Sequence, residues 1–509
     1  MKESSSAISV ARGASYLLIQ NIASTIISIA AFALIARLIT QAEMGILATL
    51  TLTAGACQLI ASLGLPSAAT KFIAEYMGKD DRQTASSVFY QILRVSLTLS
   101  VALALLCFIF SNIISLYLLK TRAYTKLFQV LAFDIVLTAG ILPCLTQSLL
   151  GLQKIREIAT FNITSLAIRQ TLIVSLLFSG YGLTGLVIAW CISDLVNCTL
   201  GTSLILKTLG SPTSSFSLRH LLKFSSPLFV SGIATFSYDW FDRVLLLAFV
   251  SLNQLGVYNV ALTAFGVLAG IPGAISTALF PKYSEIHGRE GTKAVENAIH
   301  TASRYVCYIT IPLALGLLAT ANPAISLLAG EAYTTASQPL AILSLFFAAS
   351  CVSAALSGLF LILEQTPIAS GLTIINVIAG ITFTVLFLPI FGITGAAIAR
   401  GIAMLLGLAL SVSFLKKRIN LKLDREALGK SLIAGLAMAA AVSLVEYVWY
   451  SKYLLPLYAL TGGLTYLTML RVLHAATKTD IQLIQQYLGK RLKPLTKPIG
   501  TFLLGKEQY

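Results

Sequence analysis

Apolar residues in this chain fall in runs of roughly 20, the length an α-helix needs to cross a hydrocarbon layer about 30 Å thick. Such runs predict helices at about 15–38, 45–68, 92–118, 125–151, 158–179 and 183–206. After a polar loop around Ser211–Ser217 they resume at about 224–250, 255–281, 303–327, 337–363, 367–388 and 392–415, and two more follow at 430–449 and 453–474. The pattern predicts an all-α polytopic membrane protein with about 14 spans. An even count puts both termini on one side. The polar segments between runs reach only about 20 residues, too short to fold a catalytic domain, so enzyme activity is not expected.

The stretch from Phe224 to Ile286 starts a second half that repeats the first. Lys71 closes the second run and Lys282 the eighth, 211 positions apart. Arg94 and Arg304 each open an odd-numbered run, Ala159 and Ala369 begin the fifth and eleventh, and each pair is 210 apart. Gly182-Leu-Thr-Gly185 matches Gly392-Ile-Thr-Gly395 at the same offset. Six spans per repeat is even, so the halves insert with the same orientation, related by an axis along the membrane normal. The expected organisation is an N-lobe at 1–210, a C-lobe at 211–418, two added spans at 419–478 and a basic tail at 479–509. These are two pseudo-symmetric six-helix lobes facing each other across a central cleft, plus two C-terminal helices.

Composition agrees with the pattern: 57% of residues are hydrophobic, 11% charged, and mean hydropathy is +0.85. The formal charge of +16 would suit a nucleic-acid binder, but the Lys and Arg lie in short loops between runs, where they set topology. With the N-terminus, the loops after even-numbered runs and the tail placed in the cytoplasm, about 28 of the 36 Lys and Arg lie inside. Lys120, Arg122 and Lys126 oppose that scheme. The segment Met1–Gly13 is polar and the first run is too long for a signal-peptide core, so no cleaved leader is expected. The tail, with Lys490, Arg491, Lys493 and Lys497, suits the anionic inner leaflet. All seven cysteines lie in apolar runs and none has metal-ligand spacing; no metal or cofactor site is expected. No GxxxxGK[ST] loop signals nucleotide hydrolysis.

Ionisable side chains at bilayer depth are costly and therefore informative. Counting at about 1.5 Å per residue puts Arg169 and Asp194 at similar mid-depth on antiparallel spans of one lobe. A buried ion pair fixing two helices is one reading, cavity lining the other. Asp239, Asp242 and Arg243 share a face of the seventh span through i,i+3 and i,i+4 spacing. Arg400 and Asp134 fall at comparable depth in the outer half. The same alternatives apply to this cluster: structural pairing, or a water-filled site for substrate or ion uptake. Lys71, Lys282, Arg94 and Arg304 lie near the inner mouth, either solvated or attracting an anionic headgroup such as a pyrophosphate.

Phe224-Ser-Ser-Pro, Asp242-Arg-Val-Leu-Leu-Leu and Leu255-Gly-Val-Tyr-Asn-Val in the second half, with Leu34-Ile-Ala-Arg-Leu-Ile-Thr-Gln-Ala-Glu-Met-Gly45, Gly151-Leu-Gln-Lys154 and Gly180-Tyr-Gly-Leu-Thr-Gly185 in the first, resemble the polysaccharide biosynthesis transporter family. The likeness runs over about 10–480. It implies a flippase of the multidrug/oligosaccharidyl-lipid/polysaccharide exporter superfamily in the cytoplasmic membrane. Such a flippase carries lipid-linked oligosaccharide through a central cationic cavity by alternating access, driven by a proton or sodium gradient. Its expected partners are that substrate, membrane lipids and glycan-assembly proteins. Arg169 is the one arginine at mid-depth in the N-lobe, fewer than several such flippases carry. A cation-coupled multidrug extruder and a lipid II flippase share the fold and are the alternatives.

Overall fold

The computed structural model describes residues 2–210, 212 and 216–475, and every described element is helical. The basic tail lies outside the described residues. In chain order the helices are α1 (Lys2–Leu38), α2 (Gln41–Ser62), α3 (Leu65–Gly78), α4 (Arg82–Ile109), α5 (Ser111–Leu119), α6 (Thr125–Ile135), α7 (Leu142–Gly151), α8 (Ile155–Phe178), α9 (Gly182–Leu209), α10 (Leu218–Phe249) and α11 (Leu252–Glu290). Then come α12 (Thr292–Ala319), α13 (Ala321–Leu328), α14 (Ser337–Ala349), α15 (Ser353–Leu356), α16 (Leu359–Ile362), α17 (Thr366–Leu415), α18 (Arg425–Val448) and α19 (Leu455–Val472). Contacts divide the chain into two compact units, Met1–Asn259 and Val260–Tyr509.

Local chemistry explains where the helices begin and end. Thr40 and Glu43 form a capping box at the start of α2: the Glu43 amide donates to Thr40 Oγ1 and the Thr40 amide to Glu43 Oε2. That helix stops at Leu63 and Gly64, both left-handed, and Pro66 sits in the first turn of α3. Asp81 caps α4 and Asp424 caps α18, each accepting an amide at the third residue.

Eleven described helices are long and apolar enough to cross a membrane, or twelve if the bent pair Glu331–Ala349 and Ser353–Ile362 is one span. The chain is a multi-pass membrane protein. The expected count of fourteen is not reached on this measure, for two physical reasons. The runs predicted at 367–388 and 392–415 are two helical segments that meet at a kink at Gly392 (φ 57°, ψ −139°) with no loop between them, so α17 counts as one span. The run at 224–250 is helical as α10 but carries too many serines and charged residues to rank with the others.

Two local features recur at the 210-residue offset. Gly182 and Gly392, 210 apart, both take positive φ. In the first unit Ser86 Oγ on α4 donates to the Gly210 carbonyl at the end of α9 (3.0 Å). In the second, the Asn420 amide past the end of α17 donates to Glu296 Oε1 on α12 (2.8 Å). Both partners are shifted by 210, with the direction of donation reversed.

The first unit packs α3, α4, α7 and α9 around Phe72, Ile73, Phe89, Leu145 and Ile205, and α10 adds Leu221 to that core. The starts of α2 and α11, 211 apart in the repeat, cross at Gly45 and Gly256. A Cβ at Gly256 would collide with the Gln41 carbonyl, and one at Gly45 with the Leu252 carbonyl. In the second unit, Tyr447, Trp449, Tyr450 and Tyr453 are exposed around the α18–α19 turn, Tyr447 at 91%. Phe178 and Tyr181 are exposed at the α8–α9 turn of the first unit. Amphipathic rings at such turns suit a membrane–water interface.

Candidate substrate cavity

A cavity of about 590 Å³ opens within the first unit, bounded by α2, α3, α6, α7, α8, α9 and α10. Its volume lies in the usual range for small-molecule sites, roughly 300–1,000 Å³. From α2 come Thr51, Gln58 and Ser62; α10 supplies Phe236 and Trp240, one turn apart, with ring centroids 6.0 Å apart and planes tilted by 30°. Gly55 leaves room for that shelf, since a Cβ there would stand 3.2 Å from Phe236. Trp190 and Arg169 line another part, with the guanidinium 4.8 Å from the indole centre.

Charge in the cavity is balanced. Arg169, its side chain 32% exposed, has Nη1 3.9 Å from Asp194 Oδ2. Asp194 is buried behind it, and its Oδ1 accepts from Ser193 Oγ and Asn197 Nδ2. Asn197 in turn accepts from Ser165 on α8, so α8 and α9 are joined by a polar chain as well as by the ion pair. Asp134, only 1% exposed, lines the cavity with Asp194 and Arg169 as charged neighbours, and neither carboxyl oxygen has a hydrogen-bond partner among the described residues. Directly after it, Val136–Ile141 forms a π-helical turn, and Thr138, inside that turn, also lines the cavity. Such turns widen a helix by one residue and recur at functional sites. Here Gly140 lets the turn press against Ser100 of α4.

The seventh-span charges form a separate group in the same unit. Asp242 is fully buried; Oδ2 accepts from Tyr258 Oη (2.7 Å) and Oδ1 from the Arg243 amide (2.8 Å). Arg243 Nε lies 4.0 Å from Asp242, Nη2 donates to the Asp239 carbonyl (2.8 Å), and Nη1 to Asn259 Oδ1 (3.5 Å). Its guanidinium sits 3.7 Å from the Trp240 ring centre, behind the aromatic shelf. Asp239 therefore meets Arg243 through its backbone carbonyl, and its residue is exposed.

Asp134 thus joins Arg169 and Asp194, although depth alone groups it with Asp242 and Arg400. Arg400 is buried in α17 of the second unit, at 9% exposure. Among the basic residues assigned to the inner mouth, Lys71 is exposed and lies over the Phe72 and Phe224 rings at 4.9 and 4.3 Å. Arg94 is exposed on α4, and Lys282 is exposed with Glu285 3.3 Å away. Arg304 is committed elsewhere: with Tyr308 Oη it donates to the Ala475 carbonyl, tying the end of the α19 segment to α12.

Sequence reasoning missed Phe236, Trp240, Gln58 and Tyr258. Signals exist for two of them, Trp240 and Tyr258. Three tryptophans occur in the whole chain, and two of them, Trp190 and Trp240, line this cavity. In a helical hairpin turning at Val250, residues eight before and eight after face each other, which pairs Asp242 with Tyr258.

Known proteins resemble this chain in sequence and in fold. Residues 34–338 match the family model described as "Polysaccharide biosynthesis protein". Over 438 residues the chain is 23% identical to the probable low-salt glycan biosynthesis flippase Agl15 of Haloferax volcanii, covering 85% of this chain and 89% of that one. It is 25% identical over 322 residues to the succinoglycan biosynthesis transport protein ExoT of Rhizobium meliloti, covering 61% of each. Among solved structures, the lipid II flippase MurJ in an inward closed conformation superposes with a TM-score of 0.73 over 90% of this chain and 99% of that one, at 17% identity. An inward-facing multidrug resistance MATE transporter superposes at 0.61, over 80% and 96%, with 16% identity. These two likenesses establish the fold. Because the family model spans more than half of its length, the chain belongs to the polysaccharide biosynthesis protein family.

Proposed function

We propose that this protein is a secondary-type flippase that moves a lipid-linked oligosaccharide, carried on a polyprenyl phosphate or pyrophosphate, across the cytoplasmic membrane by alternating access. The observation that carries the reading is an aromatic-shelved cavity with Gln58, Thr51, Asp134 and Arg169 in its wall, inside a chain that exposes many large apolar side chains. A headgroup of sugars needs such an enclosure, because its hydroxyls find no partners in hydrocarbon. Relatives named as a glycan biosynthesis flippase and a succinoglycan transport protein support the same substrate class. Glycosyltransferases that assemble the lipid-linked glycan are its expected partners, and both termini are placed in the cytoplasm by the charge bias.

In this reading Arg169 and Asp134 face the headgroup, Asp194 orients Arg169, and Asp134 is the group that takes up the coupling proton. The Asp242–Arg243–Tyr258 group holds α10 to the start of α11 and braces Trp240. Lys71 and Arg94, both exposed, attract the anionic head of the lipid; Lys282 serves the same purpose, whereas Arg304 anchors Ala475. Arg400, buried in α17, is the second unit's candidate for substrate or ion uptake.

Export of soluble organic cations is the second reading, favoured by the Asp134 carboxylate beside aromatic rings. Proteoliposomes holding a fluorescent lipid-linked oligosaccharide in both leaflets test the first. A membrane-impermeant reductant bleaches all of the fluorophore when the protein flips it, and only the outer half when it does not. Half-bleaching equal to that of empty vesicles, with uptake of a cationic dye instead, would replace the flippase with the extruder.

A further inference from the structure

The cavity of the first unit has the composition of a sugar site and lacks that of a phosphate site. Two of its lining groups are charged, Asp134 and Arg169, and their charges cancel. Arg169 is shared with Asp194, 3.9 Å away, so its charge is already engaged. The other nearby guanidinium, Arg243, lies behind Trp240 and is engaged by Asp242, Asn259 and the Asp239 carbonyl. A pyrophosphate placed here would face Asp134 without a cation to itself, and a balanced cleft does not concentrate anions.

What the cavity does offer is an aromatic shelf and hydrogen-bonding groups across from it. Phe236 and Trp240 present two rings to the space, with Gln58 and Thr51 exposed on α2. The electron-rich face of an aromatic ring attracts the weakly positive C–H face of a pyranose, while amide and hydroxyl groups pair with its ring hydroxyls. Resting on the flippase reading above, we propose that this cavity is a subsite for an uncharged sugar of the glycan. The pyranose lies on the Phe236–Trp240 shelf, and the phosphate or pyrophosphate stays outside the cavity.

The test measures binding to the full chain in nanodiscs of three probes: farnesyl pyrophosphate, farnesyl pyrophosphate bearing a neutral N-acetylhexosamine disaccharide, and the same with a terminal uronic acid. The neutral disaccharide should tighten binding about tenfold over farnesyl pyrophosphate, and the uronic acid should cancel most of that gain. Trp240→Ala and, independently, Gln58→Ala should each remove much of the gain while leaving the affinity for farnesyl pyrophosphate unchanged. Gln58 is exposed on α2, so its variant reports even if Trp240→Ala fails to fold. Equal affinity for all three probes, or equal loss for all three in both variants, would overturn the sugar subsite while leaving the flippase intact. Absence of binding by every probe, together with no flipping of a lipid-linked glycan in proteoliposomes, would overturn the flippase reading and the subsite with it.

Discussion

Gly256→Ala should destabilise this protein far more than its size suggests. The substituted Cβ would stand 2.9 Å from the Gly45 amide nitrogen and 3.0 Å from the Gln41 carbonyl carbon, and closer still to the Gln41 oxygen. All three are backbone atoms held in the first turns of α2, so no side chain can rotate away. The helices must part by roughly 1 Å, and overpacking of that kind costs about 1–3 kcal/mol. At about 2 °C per kcal/mol for a large chain, the melting temperature should fall by roughly 2–6 °C. Gly45→Ala meets the reciprocal obstacle at Leu252 and should cost a similar amount. The double variant should cost less than the sum, because one separation relieves both clashes. Gly266→Ala, on the same helix with nothing within 4 Å of its Cβ, is the control and should be neutral or slightly stabilising. Intrinsic-fluorescence melting of the purified full chain, checked by size-exclusion after heating, reads all four. Equal melting of Gly256→Ala and Gly266→Ala would refute the glycine crossing.

Tyr258→Phe removes the hydroxyl that donates to the buried Asp242 carboxylate and should cost about 1.5–3 kcal/mol, read as a lower melting temperature. Arg169→Gln should leave the Asp134 and Asp194 carboxyls without their shared cation and lower the melting temperature, and adding Asp194→Asn should recover part of the loss. Gly392→Ala should cost about 1–3 kcal/mol, because φ 57° with ψ −139° is open to glycine and strained for any other residue. Asp134→Asn should abolish the acceleration of glycan flipping by an imposed pH gradient while leaving gradient-free exchange measurable in proteoliposomes. An acceleration that persists in Asp134→Asn, or that follows sodium instead of protons, would remove Asp134 from the coupling step.

Much of the fold is legible because the bilayer imposes one length scale on every span. Leu34–Gly45 shows both the end of α1 and the Thr40–Glu43 box that starts α2, since helix caps depend on residues three positions apart. The 210-residue shift between Gly182 and Gly392 is readable because positive φ demands glycine at both places. The break within α17 is readable too, between the runs predicted at 367–388 and 392–415. Pro389 and Gly392 signal it, but apolar residues continue on both sides without a polar loop.

The site was less legible because depth along a span is one coordinate and the face of the helix is another. Counting from the helix ends matches Arg169 with Asp194, which the structure places 3.9 Å apart. The same count sends Asp134 to the company of Asp242, because it cannot say which face each carboxylate takes. The π turn at Val136–Ile141 makes this worse, since one extra residue in the turn rotates everything beyond it by about 100° relative to a regular helix. The aromatic shelf escapes attention for a different reason: Phe236 and Trp240 read as ordinary apolar residues of a span until Gly55 on α2 is seen to leave space in front of them. A charged residue in a membrane span attracts notice by its cost, whereas a ring that serves a sugar costs nothing to bury. An aromatic shelf of this kind is found in a sequence by looking for small residues opposite aromatic ones across neighbouring spans, and here that search leads to Gly55, Phe236 and Trp240.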